Sequence, residues 1–87
     1  MKELLPVGTV VRINDNEELK LMVGGYYPLD KELNISYDYF GLIYPYGITL
    51  HKKVMMFNHI DISAIEFLGY STKDSKSALL HLKEMKK

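Results

Sequence analysis

Apolar and polar positions alternate from the start of the chain. Leu4-Leu5-Pro6-Val7-Gly8 is an apolar lead-in ending in a turn, where Pro6 fixes φ and Gly8 permits the bend. The β-branched stretch Thr9-Val10-Val11-Arg12-Ile13 predicts a first strand with Val11 and Ile13 inward and Arg12 outward. Asn14-Asp15-Asn16-Glu17-Glu18 is a hairpin loop, because Asn and Asp side chains bond their own backbone and tolerate left-handed geometry. Leu19-Lys20-Leu21-Met22-Val23 alternates cleanly and predicts a second strand with Leu19, Leu21 and Val23 inward. Gly24-Gly25 then interrupts a run that continues into Tyr26-Tyr27, the pattern of a bulge or a sharp corner.

Residues 28–36 read as a polar loop. The next run, 37–43, is the best candidate for a central strand. Its two faces are equally apolar: Phe40 and Leu42 share one, Tyr39 and Ile43 the other, and Gly41 leaves room for a neighbouring side chain. Tyr44-Pro45-Tyr46-Gly47 is a turn with Pro in its second position and Gly in its fourth. After the exposed His51-Lys52-Lys53, Val54-Met55-Met56-Phe57 is the fourth strand. Asn58-His59-Ile60-Asp61 has capping-box spacing and predicts one 3₁₀ turn, flanked by Phe57 and Ile62 as a hydrophobic staple. Ile65-Glu66-Phe67-Leu68 is the last strand, with Ile65 and Phe67 inward, ending at Gly69. From Thr72 onward the pattern is helical, capped by Ser71 or Thr72. Ala78, Leu82 and Met85 share one face with Leu79 beside them, and Lys83, Lys86 and Lys87 lie at the negative end of the dipole.

These elements predict a mainly β fold with a C-terminal α-helix (α+β). Its form is a small SH3-like half-open barrel or a highly twisted antiparallel sheet of about five strands. Residues 1–87 form a single domain, with a barrel-like core over 1–70 and the helix over 71–87. A helix this short is marginal alone, so it docks on the sheet or on a partner.

Composition narrows the function classes. Eleven basic and eleven acidic residues leave no net charge, which removes the basic field that nucleic-acid binding exploits. No cysteine is present, so disulfides and thiolate metal sites are excluded and a reducing compartment is permitted. No signal-peptide pattern and no apolar run of membrane-spanning length occurs; a cytoplasmic protein without membrane insertion is expected. The histidines His51, His59 and His81 have no ligand spacing; His59 with Asp61 is the one pair near enough for a weak metal or acid–base site, against a structural role in the capping turn. Asp15, Glu17 and Glu18 crowd one loop tip but lack the sharp-turn glycine of a calcium loop. Neither a serine-nucleophile setting nor a phosphate-binding glycine spacing is found, so no enzyme activity and no cofactor are expected.

The seven tyrosines are the distinctive feature. They join a large apolar area to a polar tip, which suits either an interface or the filling of a small β core. Tyr27, Tyr39, Tyr44 and Tyr46, then Leu79 and Leu82 on the helix, are the candidate partner-contact residues. An RNA-stacking face is a third use of such tyrosines.

The ordered series Leu5-Pro6-Val7-Gly8-Thr9-Val10-Val11, Leu19-Lys20-Leu21-Met22-Val23, Tyr37-Asp38-Tyr39-Phe40-Gly41, Tyr44-Pro45-Tyr46-Gly47, Phe57-Asn58-His59-Ile60-Asp61-Ile62 and Phe67-Leu68-Gly69-Tyr70 resembles a family of small bacterial proteins of unknown function. Members of that family are encoded beside type VII secretion genes, among WXG-type helical proteins and LXG-type toxins. The chain departs from the pattern at Tyr46 and Ile60, where the family carries an acid. The resemblance implies an accessory or adaptor role in type VII secretion, with an LXG-type toxin or a small helical secretion protein as partner. A toxin-immunity role, a self-assembling homodimer and a small nucleic-acid-binding module remain as alternatives.

Overall fold

The computed structural model of the chain describes residues 3–16, 18–51 and 53–86; Glu17, Lys52 and Lys87, together with Met1 and Lys2, lie outside them. In chain order the elements are β1 (Val10–Ile13), β2 (Lys20–Tyr26), β3 (Leu29–Asp30), β4 (Ile35–Ser36), β5 (Tyr39–Ile43), β6 (Met55–Phe57), a 3₁₀ turn (His59–Asp61), β7 (Ile62–Phe67) and α1 (Lys73–Met85). Five strands form one sheet in the order β6-β5-β2-β1-β7, every neighbouring pair antiparallel. The 3₁₀ turn carries the chain from one edge of the sheet to the other. β6 and β7 stand at opposite edges, so the sheet is open rather than a closed barrel. β2 occupies the middle, and β5, expected to be central, lies between it and the edge strand β6.

The core follows the alternation. Val11 and Ile13 from β1, Leu21 and Val23 from β2, Tyr39 from β5 and Phe57 from β6 point to one side, where Leu4 and Leu5 of the lead-in complete the cluster. The ambiguous strand β5 therefore turns Tyr39 and Ile43 inward. At Gly41 a Cβ would sit 2.8 Å from Phe57 Cε1, so the missing side chain makes the space that the Phe57 ring fills. The pairing of β2 with β5 shifts register between Val23 and Gly25, which confirms the bulge at Gly24-Gly25. On the opposite face Phe40 lies over the glycines, and a Cβ on Gly25 would collide with its ring.

The turn that follows β1 and the caps behave as their residues predict. Asn14 and Asp15 adopt φ of 50° and 59°. The Asp61 carboxylate accepts the Asn58 N–H at 2.9 Å, and the Asn58 Oδ1 accepts the Asp38 N–H at 3.0 Å. Thr72 caps α1: its Oγ1 accepts the Ser75 N–H at 3.0 Å, and the Ser75 Oγ accepts the Thr72 N–H at 2.7 Å.

Four expectations need correction. Within 28–36 the chain forms the small β3–β4 hairpin, because Asp30 Oδ1 accepts the Glu32 and Leu33 N–H groups and Asn34 takes a positive φ. At 43–47 the Ile43 carbonyl accepts both the Tyr46 and Gly47 N–H groups at 2.9 Å, so the turn begins at Ile43 and Pro45 follows a cis bond as its third residue. In β7, Ile65 pairs with Val11 on the core side but is half exposed at the sheet edge. A register shift beyond it sets Phe67 opposite Val10, on the other face, 63% exposed. In α1 the inward face is Leu79 and Leu82, which pack on the core, while Ala78 and Met85 are exposed. The helix packs on the chain's own core cluster.

Candidate functional site

The predicted contact residues separate into a buried group and an exposed one. Tyr39 is fully buried and belongs to the core, which removes it from any contact face. Its ring stacks on Phe57 with centroids 5.2 Å apart and tilts against Tyr26 at 5.9 Å. Its hydroxyl accepts the Leu5 N–H at 3.1 Å and lies 2.7 Å from His59 Nδ1. Tyr26 adds a hydrogen bond from its hydroxyl to the Leu5 carbonyl. The two phenols thus clamp both polar groups of one lead-in residue, which has no strand neighbour to satisfy them. Burial pushes the Tyr39 phenol up to about 12 and raises Tyr26 as well.

His59 and Asp61 are engaged separately. The His59 ring meets Tyr39 and the His59 backbone N–H donates to Asp38 Oδ2 at 2.9 Å, while Asp61 holds the Asn58 N–H. Among the described residues no three His, Cys, Asp or Glu side chains come together as metal ligands. Nor is any helix among them long and apolar enough to cross a membrane.

Tyr27 closes β2 at φ 53°, half-buried under the Lys86 ammonium, 4.8 Å above its ring. Leu79 and Leu82 are used in docking α1. Tyr44 and Tyr46 are different: they are 51% and 61% exposed. They open a loop in which Ile48, Leu50 and Val54 also face solvent, and which runs into Met55 and Met56 of β6.

This loop borders a second apolar surface. Phe67, Val10, Met22 and Leu42 pair in one row across β7, β1, β2 and β5, on the face opposite the core cluster. Beside that row Phe40 pairs with Met56 of the edge strand. An antiparallel sheet with one solvated face carries polar side chains there; here the middle of the face is apolar. Polar groups are confined to one flank, where Arg12 and Lys20 both meet Glu66, at 2.9 and 3.6 Å. Within this layer Val10 is buried and Met22, Leu42 and Phe40 are half-buried, while Phe67 at one end and Met56 with the adjoining loop at the other are exposed, the kind of apolar surface that marks an interaction site. Sequence reasoning found Tyr44 and Tyr46 but missed the row, since its members come from four strands and only the register aligns them.

No curated protein and no solved structure matches the chain. The sequence pattern of one family matches residues 4–78, from the lead-in into the first turns of α1. The chain therefore belongs to that family, described as a domain of unknown function (DUF4176).

Proposed function

We propose that the protein is a non-enzymatic adaptor that binds another protein through the open face of its sheet and the loop beside it. The observation that carries this reading is the run of exposed apolar side chains from Tyr44 to Met56, continuous through the Met56–Phe40 pair with the row on the sheet. The resemblance to small proteins encoded beside type VII secretion genes supplies the setting. The partner is then the helical targeting region of an LXG-type toxin, or a small helical secretion protein, met in the cytoplasm. An apolar sheet face can accept the apolar stripe of such a helix.

The test is affinity capture of the tagged protein from its own cells, repeated with Tyr44→Ala/Tyr46→Ala. Recovery of a toxin's N-terminal region by the parent protein and its loss in the variant, at an unchanged melting temperature, supports the adaptor role. Protection of cells against the toxin's C-terminal domain, without binding to the N-terminal region, replaces it with immunity.

A further inference from the structure

On the covered side of the sheet the lead-in and α1 leave a groove of about 440 Å³ between them. Its walls are apolar: Leu5 from the lead-in, Leu68 from the stretch after β7, and Leu80 from the helix. Its rim is basic, with Lys73, Lys76 and Lys83 from α1 against Glu3, the single acid among the described residues that line it. Lys73, Lys76, Leu80 and Lys83 succeed one another at i, i+3, i+7 and i+10, which is one stripe of the helix, about 15 Å long at the α-helical rise.

From this we infer that the groove seats an amphipathic helix of a partner protein, with acidic residues at one-turn spacing beside an apolar ridge. Charge complementarity sets the sign, since three lysines face one glutamate. Periodicity sets the form. A second helix lying along α1 repeats at the same interval and meets Lys73, Lys76 and Lys83 in turn. An extended peptide would need a strand edge to pair with, and the groove is lined by a helix and the lead-in. A single lipid carboxylate could reach one lysine of the stripe and not the next. The ridge of the partner fills the space between Leu68 and Leu80, both more than half exposed. This contact lies on the side of the sheet opposite the Phe67–Leu42 row and does not depend on the reading of that row.

The probe is a stapled amphipathic peptide with glutamates along one stripe and leucines along the next, compared with the same peptide carrying lysine for each glutamate. Fluorescence anisotropy with the full chain at low and moderate salt reads the binding. The glutamate peptide is expected to bind at least about tenfold more tightly than the lysine peptide, with the difference shrinking as salt rises. Lys73→Glu/Lys76→Glu is expected to reverse the preference. Both side chains are exposed in the first turns of α1, where an acid suits the dipole, so the variant keeps its fold. Tyr44→Ala/Tyr46→Ala is expected to leave peptide binding unchanged, which separates this groove from the sheet face. Equal binding of the two peptides, an unaltered preference in the charge-reversed variant, or displacement of the peptide by decanoate at a similar concentration would overturn the inference.

Discussion

Tyr39 carries a polar atom into a hydrocarbon core, and the reason is the Leu5 N–H. The lead-in crosses the core side without a strand partner, and the phenols of Tyr39 and Tyr26 supply the missing hydrogen bonds. Tyr39→Phe keeps the ring and its stacking on Phe57 but leaves the buried Leu5 N–H without its acceptor. The expected loss is about 1–3 kcal/mol, measured by urea unfolding. The same phenol makes stability fall in alkali. Its folded value of about 12 lies above the ordinary 10, so the neutral form is the one the fold holds. Its contribution is complete below pH 10 and is lost as pH rises through 12. Phenolate absorbance should show a late-titrating component that Tyr39→Phe removes. Sequence alone named Tyr39 as a candidate contact residue and left the core reading open, because tyrosine serves both small β cores and interfaces. The strand around it offers Tyr39 and Ile43 on one side and Phe40 and Leu42 on the other, with nothing to choose between them.

Strands, caps and helix were legible wherever a local rule decides them. Val11 and Ile13 alternate with Arg12, Leu21 and Val23 alternate with Met22, and Thr72 stands three residues before Ser75; each needs only its neighbours in sequence. The bulges were another matter. Phe67 follows Ile65 by two and should share its face, yet the shift opposite Val10 sends it to the other side. A bulge in an edge strand is set by its pairing partner, which the strand's own pattern does not contain. Gly24-Gly25 did announce itself, and the structure supplies the cause: the Phe40 ring lies where a Gly25 Cβ would be, 2.0 Å from its Cε1. Gly25→Ala should therefore destabilise by about 1–3 kcal/mol. If the ring is the obstacle, Phe40→Ala and Gly25→Ala should not add, and a double-mutant cycle should return a coupling of about 1 kcal/mol. Additive losses would place the fault in the β2 backbone. At the start of α1, Thr72→Ala should cost about 1 kcal/mol and lower the helical circular dichroism at moderate temperature.

At the scale of the molecule the sheet has two apolar faces and covers them unequally. The covered face holds Val11, Leu21, Val23 and Tyr39 under the lead-in and α1; the other presents Phe67, Met22, Leu42 and Met56 with the Tyr44–Tyr46 loop alongside. Burial on the first side drives folding, so its residues tolerate little. The side chains left exposed on the second, Phe67 and Met56 with the loop, gain free energy only when something covers them. The two sides should therefore answer the same chemical change differently. Phe67→Ser and Tyr46→Ser should leave the melting temperature within about 2 °C of the parent, as surface substitutions do, while lowering the fluorescence of a bound hydrophobic dye such as ANS. Leu82→Ser, on the covered side, should lower the melting temperature by roughly 5–15 °C, because a half-buried leucine is worth about 1–2 kcal/mol and each kcal/mol shifts a domain of this size by several degrees. Dye binding should rise in that variant as α1 loosens. A fall in melting temperature for Phe67→Ser equal to that for Leu82→Ser would mean that the row on the second face is a structural layer in its own right. The protein would then have two cores, and its partner surface would contract to the 44–56 loop.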